Sequence, residues 1–373
     1  MIPHAVRKST TDLWLDLFRG WAITGVFFEH WLERVSGATA NSLWSYLNDF
    51  AYRSGCLVQL FFVVSGFGLT RSLLSSTASP EWMSWFQRRI RKTVLPFWLA
   101  CMGITLALNG VGWLHPSLGL QPVSIEAMLL NMLFLRNQFP SSWVLNGAFW
   151  FMPVIIGLYV LYPILFQALK RWGAACFLAL TFVVQSASIL MAIQLGWDGS
   201  HDSSVAIFHL APFAFGMCVA KWMKQGRLND DTIRSPTVML LGIVSIILAS
   251  VLARLSILGS AANDIFTSFG LFVLGQGLVP LFARRESFAT RLSLFAGRHS
   301  YTMFLIHLPI LLMIQGTSTT SFDRVHAGLF LLSGAVCFVA ILLISAAIDS
   351  AFAWLVRELK NRIARLPSQW LQH

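Results

Sequence analysis

The stretch LFLLSGAVCFVAILLISAAI, residues 329–348, contains no charged side chain. About 20 apolar residues at 1.5 Å per residue form a helix that spans the hydrocarbon core of a bilayer. Similar runs recur along the 373-residue chain, in which 56% of residues are hydrophobic and only 12% are charged. Soluble domains carry roughly 25% charged residues. The sequence therefore predicts an all-α integral membrane protein and excludes an ordinary soluble globular protein.

Ten apolar runs are separated by short polar breaks, and we predict that each forms a transmembrane helix. They lie near residues 14–33, 56–76, 93–111, 148–168, 173–195, 205–222, 237–257, 264–283, 300–316 and 327–355. An independent soluble domain needs roughly 40 residues, and no polar stretch is that long. Residues 1–373 are therefore predicted to form a single transmembrane domain with no appended soluble domain.

One further apolar run, Ala127–Leu135, is too short to cross a hydrocarbon core about 30 Å thick. Counting it as a span would move Lys170 and Arg171 out of the cytoplasm, against the positive-inside rule. The stretch 112–147 is therefore predicted to be an interfacial or re-entrant element on the non-cytoplasmic side, where it can help to shape an acceptor site.

The net charge of +11 is interpreted as a topology signal. If the N-terminus is cytoplasmic, most of the 27 Lys and Arg residues fall on the cytoplasmic side of the ten spans. Both termini are thus predicted to be cytoplasmic, and no nucleic-acid partner is expected. The five Cys residues lie singly, and the chain contains neither a CxxC nor a His-x-x-x-His pattern, so no metal site is predicted.

The first predicted span contains several ionisable residues, although a charged group in a bilayer costs about 2.5–3.5 kcal/mol. Asp16 and Arg19 are three residues apart, on one helix face, and can neutralise one another. His30 follows Arg19 by eleven residues, which brings it to nearly the same face, about 16 Å further along the helix. Glu29 and Glu33 are candidates for orienting the His30 imidazole, and an ion pair with Arg34 is the alternative role for them. A hydrogen-bonded packing role for His30 is the structural alternative.

A second cluster, RRIRK at residues 88–92, precedes the third predicted span. On a regular α-helix, Arg88 and Arg91 would present two guanidinium groups side by side, a geometry suited to phosphate. Arg89 and Lys92 would form an equivalent pair one step around the helix. The alternative is that the cluster serves only as a topology signal.

Four motifs in chain order resemble the acyltransferase-3 family of integral membrane acyltransferases. They are LDLFRG at 15–20 with His30 beyond it, FFVVSGF at 61–67, the stretch from Arg88 to Trp98, and SYTMFLIH at 300–307. The segment from Phe149 to Pro163 is also similar to the family's WF…Y…P span. Many members have a Glu about five residues after that Trp, whereas this chain has Ile155 and Ile156.

The resemblance implies transfer of an acyl group, often acetyl, from a cytoplasmic acyl-CoA to a hydroxyl of a surface glycan or lipid-linked glycan at the opposite membrane face. Acetyl-CoA or another acyl-CoA would be a co-substrate, with no permanently bound cofactor. The implied location is a bacterial inner membrane, where separate envelope-glycan proteins are candidate partners.

The resemblance also implies roles for individual residues. Arg19 and His30 match the family's Arg-x10-His pair, and Arg88 and Arg91 match its Arg-x-x-Arg pair. We therefore expect His30 to act as the general base, Arg19 to line the cytoplasmic mouth, and Arg88 and Arg91 to bind acyl-CoA. The candidate supporting residues are Asp16, Glu29, Glu33, Ser65, Tyr301 and His307; among them, Ser65 and Tyr301 are candidate oxyanion donors. An acyl-His intermediate is an alternative route.

Other functions use the same residue types. A polysaccharide or anion transporter would use the cations for anion passage and His30 for proton coupling. Paired unwound segments or an inverted repeat would favour that interpretation, and the sequence shows neither. A non-catalytic membrane subunit would not need His30. Within the acyltransferase interpretation, succinyl or longer acyl donors would use the same residues.

Overall fold

The computed structural model describes residues 10–32, 35–36, 57–76, 79–196, 205–255, 258–284, 287–315, 320–321 and 327–364. Nearly all of them are helical, as predicted for an all-α membrane protein. In chain order the α-helices are α1 (Thr10–Leu32), α2 (Val58–Leu74), α3 (Trp82–Arg89), α4 (Leu95–Leu114), α5 (Ile125–Met132), α6 (Phe151–Trp172), α7 (Ala174–Gln194), α8 (Leu210–Lys224), α9 (Asp230–Ile233), α10 (Pro236–Leu255), α11 (Leu258–Arg284), α12 (Phe288–Arg298), α13 (Ser300–Gln315) and α14 (Ala327–Ala364). The candidate site residue Glu33 lies outside the described residues.

Each of the ten predicted spans coincides with a helix, because a helix satisfies its own backbone polar groups as lipid requires. These helices are α1, α2, α4, α6, α7, α8, α10, α11, α13 and α14. Among the described residues, six helical stretches are long and apolar enough to cross a membrane: Trp82–Leu114, Gly147–Trp172, Ala174–Gln194, Ala206–Lys224, Asn263–Phe282 and Leu329–Glu358. Shorter apolar helices cover Val58–Leu74, Pro236–Leu252 and Ser300–Ile314. The chain is an integral multi-pass membrane protein; ten crossings and cytoplasmic termini stay predictions.

The chain between α4 and α6 forms only short elements. The α5 helix has eight residues, about 12 Å at 1.5 Å per residue, and Ser124 caps it by accepting a hydrogen bond from the Ala127 amide. The 3₁₀ turns of this stretch are Pro116–Leu118, Arg136–Gln138, Pro140–Val144 and Gly147–Trp150. Each of these elements is too short to cross a bilayer.

A two-residue parallel pairing joins the segments that follow α1 and α13. In it β1 (Val35–Ser36) pairs with β2 (Thr320–Ser321), with Val35 opposite Thr320. The pairing links the segment that follows the His30 end of α1 with the segment that follows the C-terminal end of α13.

A π-helical turn, Ile90–Val94, joins α3 and α4 into one continuous helix. Pro96 accounts for this turn, because proline lacks an N–H and its ring clashes with the carbonyl four residues earlier in an α-helix. A π-turn changes the hydrogen-bond spacing and therefore the angle between successive side chains. The side-by-side arrangement of Arg88 and Arg91 assumes a regular α-helix, which this stretch is not.

Glycines allow two pairs of helices to pack with their backbones in close approach. A Cβ at Gly66 of α2 would lie 2.0 Å from the Phe213 carbonyl oxygen of α8, and a Cβ at Gly216 of α8 would lie 2.0 Å from the Val63 carbonyl oxygen. Any larger residue would push the helices apart. Small residues at such crossings are typical of helix packing in membranes.

The α1 and α12 helices meet in the same way. A Cβ at Gly20 would lie 2.0 Å from the Ser293 carbonyl oxygen, and one at Gly297 would lie 1.8 Å from the Asp16 carbonyl oxygen. The crossing brings the end of α12 next to the charged part of α1.

Four polar side chains from separate elements meet inside the bundle, and we call them the Asp264 cluster. Gln59 of α2 and Gln185 of α7 donate hydrogen bonds to the two carboxylate oxygens of Asp264 in α11, at 2.9 and 3.3 Å. His209, in the 3₁₀ turn before α8, lies with Nδ1 3.7 Å from the same carboxylate. Gln185 also accepts a hydrogen bond from the Ala211 amide at 2.7 Å. The cluster connects α2, α7, α8 and α11.

Candidate active site

A cavity of about 510 Å³ lies between α1, α2, α3 and α6, and we call it the arginine cavity. Three guanidinium side chains line it, from Arg19 of α1, Arg71 of α2 and Arg89 of α3. Its hydroxyl-bearing lining residues are Ser65, Ser72, Ser75 and Tyr159. Several guanidinium groups with hydroxyl donors around one cavity are suited to binding a polyanion such as a phosphate ester.

The carboxylate of Asp16 lies beside two of the arginines near this cavity. It is 3.6 Å from Arg19 Nη1 and 3.9 Å from Arg298 Nε. The Arg19 side chain nevertheless keeps 39% of its surface exposed. Asp16 therefore compensates for charge inside the apolar bundle, while Arg19 still reaches the cavity.

The arginine cluster before α4 is divided between two surfaces. Arg89 is half-buried, lines the arginine cavity and lies over the Trp85 ring, 5.5 Å from its centre. Arg88 and Arg91 are exposed and do not line this cavity, and Arg91 Nε donates to the Gln87 carbonyl at 3.3 Å. Arg89 is thus the member of the cluster that lines this cavity, and the binding of acyl-CoA by Arg88 and Arg91 stays a prediction.

His30 and His307 lie next to each other, although 277 positions separate them in the chain. Their rings stack with centroids 5.4 Å apart and planes 28° apart. His30 is half-buried, whereas His307 is fully buried. His30 does not line the arginine cavity and sits about 16 Å from Arg19 along the axis of α1. His30 and the arginine cavity thus lie at two different levels along α1.

The remaining supporting candidates occupy different places. Ser65 lines the arginine cavity together with Tyr159. The Tyr301 hydroxyl donates to the Thr93 carbonyl at 2.5 Å and so ties α13 to the π-turn. Glu29 is half-buried and directly precedes His30. Ser65 therefore faces the cavity, whereas the hydroxyl hydrogen of Tyr301 is already committed to the backbone.

Sequence reasoning did not assign Arg71, Tyr159 or the Asp264 cluster to a site. For Asp264 the sequence does contain an indication, because a carboxylate stands at the start of an apolar run. The carboxylate contacts His209, whose ring lies 5.6 Å from the Trp150 ring. An acid thus reaches the neighbourhood of Trp150 from α11, although the chain has isoleucines where the family motif has a Glu. The positions of Arg71 and Tyr159 depend on tertiary packing.

Comparison with known proteins agrees with this architecture. No curated protein and no solved structure matches the chain. The family model for the acyltransferase-3 domain, described as an acyltransferase domain, matches residues 12–349, nearly the whole chain. This match covers both the arginine cavity and the histidine pair, and the chain belongs to the acyltransferase-3 family of membrane acyltransferases.

Proposed function

We propose that the protein transfers an acyl group, in the first instance acetyl, from cytoplasmic acyl-CoA to a hydroxyl of a surface glycan or lipid-linked glycan at the opposite membrane face. The observation that carries the proposal is the arginine cavity at one end of the helix that also bears His30. Acyl-CoA is a polyanion with a long, thin arm. It needs cations at its phosphates and a base deeper in the protein, where the thioester arrives.

The phosphates of acyl-CoA would bind in the arginine cavity. Arg19, Arg71 and Arg89 supply guanidinium groups there, which can bind phosphate oxygens in pairs. Arg88 and Arg91 are exposed on the same continuous helix, and a contribution from them to acyl-CoA binding is part of the proposal. The pantetheine arm would then extend along α1 towards His30.

His30 would act as the general base. It would take the proton of the acceptor hydroxyl while the hydroxyl oxygen attacks the thioester carbonyl carbon. The carbon–sulfur bond would then break, and the CoA thiolate would leave and regain the proton from His30. The oxyanion would form beside His30, whereas Ser65, a candidate donor to it, lines the arginine cavity together with Arg19.

The proposal includes a cellular setting. The cytoplasmic ends of the spans would face the acyl-CoA pool of a bacterial inner membrane, and separate envelope-glycan proteins would present or use the acceptor. The excess of Lys and Arg on one side of the predicted spans supports this orientation.

Mass spectrometry of surface glycans and lipids from cells with the intact protein and with His30→Gln tests the function. We expect an added acyl mass only with the intact protein, because glutamine keeps hydrogen bonding but cannot take up a proton at neutral pH. Both proteins should be present in the membrane in equal amounts. Purified protein supplied with acetyl-CoA, succinyl-CoA or a longer acyl-CoA would then identify the donor by the rate of thiol release.

Two outcomes would contradict the proposal. Unmodified glycans that accumulate inside cells without the protein would indicate an exporter. Equal acylation by the His30→Gln variant would remove His30 from the mechanism.

A further inference from the structure

The hydrogen-bond partners of His307 fix its tautomer. Nδ1 lies 3.1 Å from the Met303 carbonyl oxygen and 2.9 Å from the Phe304 carbonyl oxygen. A carbonyl oxygen only accepts, so Nδ1 carries the proton and donates it to the helix backbone. Nε2 is therefore left with a lone pair and acts as a hydrogen-bond acceptor.

This acceptor has no partner in the described part of the chain. The Nε2 atom of His307 is buried and accepts no hydrogen bond. Leaving a buried acceptor unsatisfied is destabilising, so a buried acceptor of this kind calls for a functional explanation.

The group best situated to satisfy Nε2 is His30. Two aromatic rings contact His307 among the described residues, Phe304 at 6.2 Å and His30 at 5.4 Å, and only His30 carries an N–H. The two rings are stacked without a hydrogen bond to Nε2, so this contact requires the His30 ring to turn about its χ2.

The helix turn that carries His307 is held from a second side. Asn146 Nδ2 donates to the Leu305 carbonyl at 3.0 Å, and its side-chain oxygen accepts from the Ala148 amide at 2.9 Å. A Cβ at Gly147 would lie 3.1 Å from a methyl group of Leu308. The chain before α6 thus packs directly on this turn of α13 and holds the backbone that carries His307.

We propose that His307 is a positioning residue for His30. Its Nε2 accepts the N–H of the rotated His30 ring, which turns the other His30 nitrogen, with its lone pair, towards the acceptor hydroxyl. That nitrogen takes the hydroxyl proton while the oxygen–carbon bond forms, and returns it to the CoA thiolate after the carbon–sulfur bond breaks. His307 neither gains nor loses a proton. The inference rests on the proposed acyl transfer and adds the group that orients its base.

Three substitutions at His307 separate this role from packing. His307→Gln carries an acceptor oxygen close to the position of Nε2, His307→Asn is too short to do so, and His307→Phe keeps the ring without any acceptor. Acetyl-CoA is the donor and a total lipid-linked glycan extract the acceptor, with thiol release and labelled glycan measured together. We expect kcat to fall about 100-fold for Phe and Asn and to stay within about tenfold of wild type for Gln, because an orienting partner acts through the general base. The KM for acetyl-CoA should not change.

Leu311→Met is the matched control for packing, because Leu311 is fully buried one turn further along α13. It should keep wild-type kcat and melting temperature. If the Phe variant does not fold, the comparison of Gln with Asn still decides, since both are polar and smaller than histidine. Equal kcat for the Gln and Asn variants, or wild-type kcat for Phe, would overturn the role of His307. Absence of acyl transfer by the wild-type protein would instead overturn the proposed function.

Discussion

The guanidinium of Arg89 lies over the ring of Trp85, 5.5 Å from its centre, at the wall of the arginine cavity. Trp85 is itself buried and stacks on Tyr162 with ring centres 5.2 Å apart. Tyr162 in turn shares a hydrogen bond with Thr70 of α2 at 3.1 Å. Arg89 is therefore supported by a continuous stack of side chains that connects α3, α6 and α2, whereas its neighbour Arg88 is exposed to solvent.

Arg89→Ala is expected to raise the KM for acyl-CoA about 10- to 100-fold, because it removes one charge-assisted hydrogen bond to a phosphate. Arg88→Ala is the comparison within the same cluster, and we expect its exposed guanidinium to contribute less to acyl-CoA binding, with a rise in KM of less than about threefold. Steady-state kinetics with varied acyl-CoA measures both. A larger rise in KM for Arg88→Ala than for Arg89→Ala would indicate that acyl-CoA binds at Arg88 and Arg91, the pair that matches the family motif.

The predicted orientation can be checked by cysteine labelling. Ser76 and Ser117 are both exposed, and the ten-span prediction assigns them to opposite sides of the membrane. In a variant without the native cysteines, we expect a membrane-impermeant thiol reagent to label Ser117→Cys in intact cells. Ser76→Cys should react only after the cells are opened. Labelling of both from outside would contradict the predicted topology.

Gly66→Ala is expected to destabilise the protein, because the added methyl group would overlap the Phe213 carbonyl oxygen of α8. Overpacking of this kind costs about 1–3 kcal/mol, which should appear as a lower melting temperature in detergent. Gly68→Ala is the control on the same helix, since a Cβ there meets nothing within 4 Å. Equal melting temperatures for the two variants would show that the close packing of α2 against α8 does not contribute to stability.

The Asp264 cluster should contribute to stability through its amide donors. Gln59→Leu removes the donor 2.9 Å from Asp264 Oδ1 and leaves that buried oxygen without this hydrogen bond. We expect a loss of about 1–3 kcal/mol in the free energy of unfolding, the range for leaving a buried polar group unsatisfied. Asp230→Asn, which breaks the exposed ion pair with Arg234 at 3.2 Å, should cost no more than about 1 kcal/mol. Chemical unfolding of both variants makes the comparison, and equal losses would argue against a stabilising cluster.

Helix positions could be predicted from the sequence because they depend on local runs of apolar residues. The run at 329–348 lies within α14, and the short run Ala127–Leu135 became the eight-residue α5 instead of a span. The Asp16–Arg19 ion pair likewise follows from a three-residue spacing on one helix.

Contacts between distant segments could not be predicted in this way. His30 and His307 were both candidate site residues, but only the packing of α1 against α13 brings their rings together. The angular spacing within the arginine cluster also differs from that of a regular helix, because Pro96 follows a π-turn that a run of charged residues does not predict.

The hydrogen bond between Gln59 and Asp264 also depends on the order in which the chain is synthesised. The two residues are 205 positions apart, so at 5–20 residues per second Gln59 is made about 10 to 40 s before its carboxylate partner. The hydrogen bond that joins α2 to α11 can therefore form only after α11 has been synthesised.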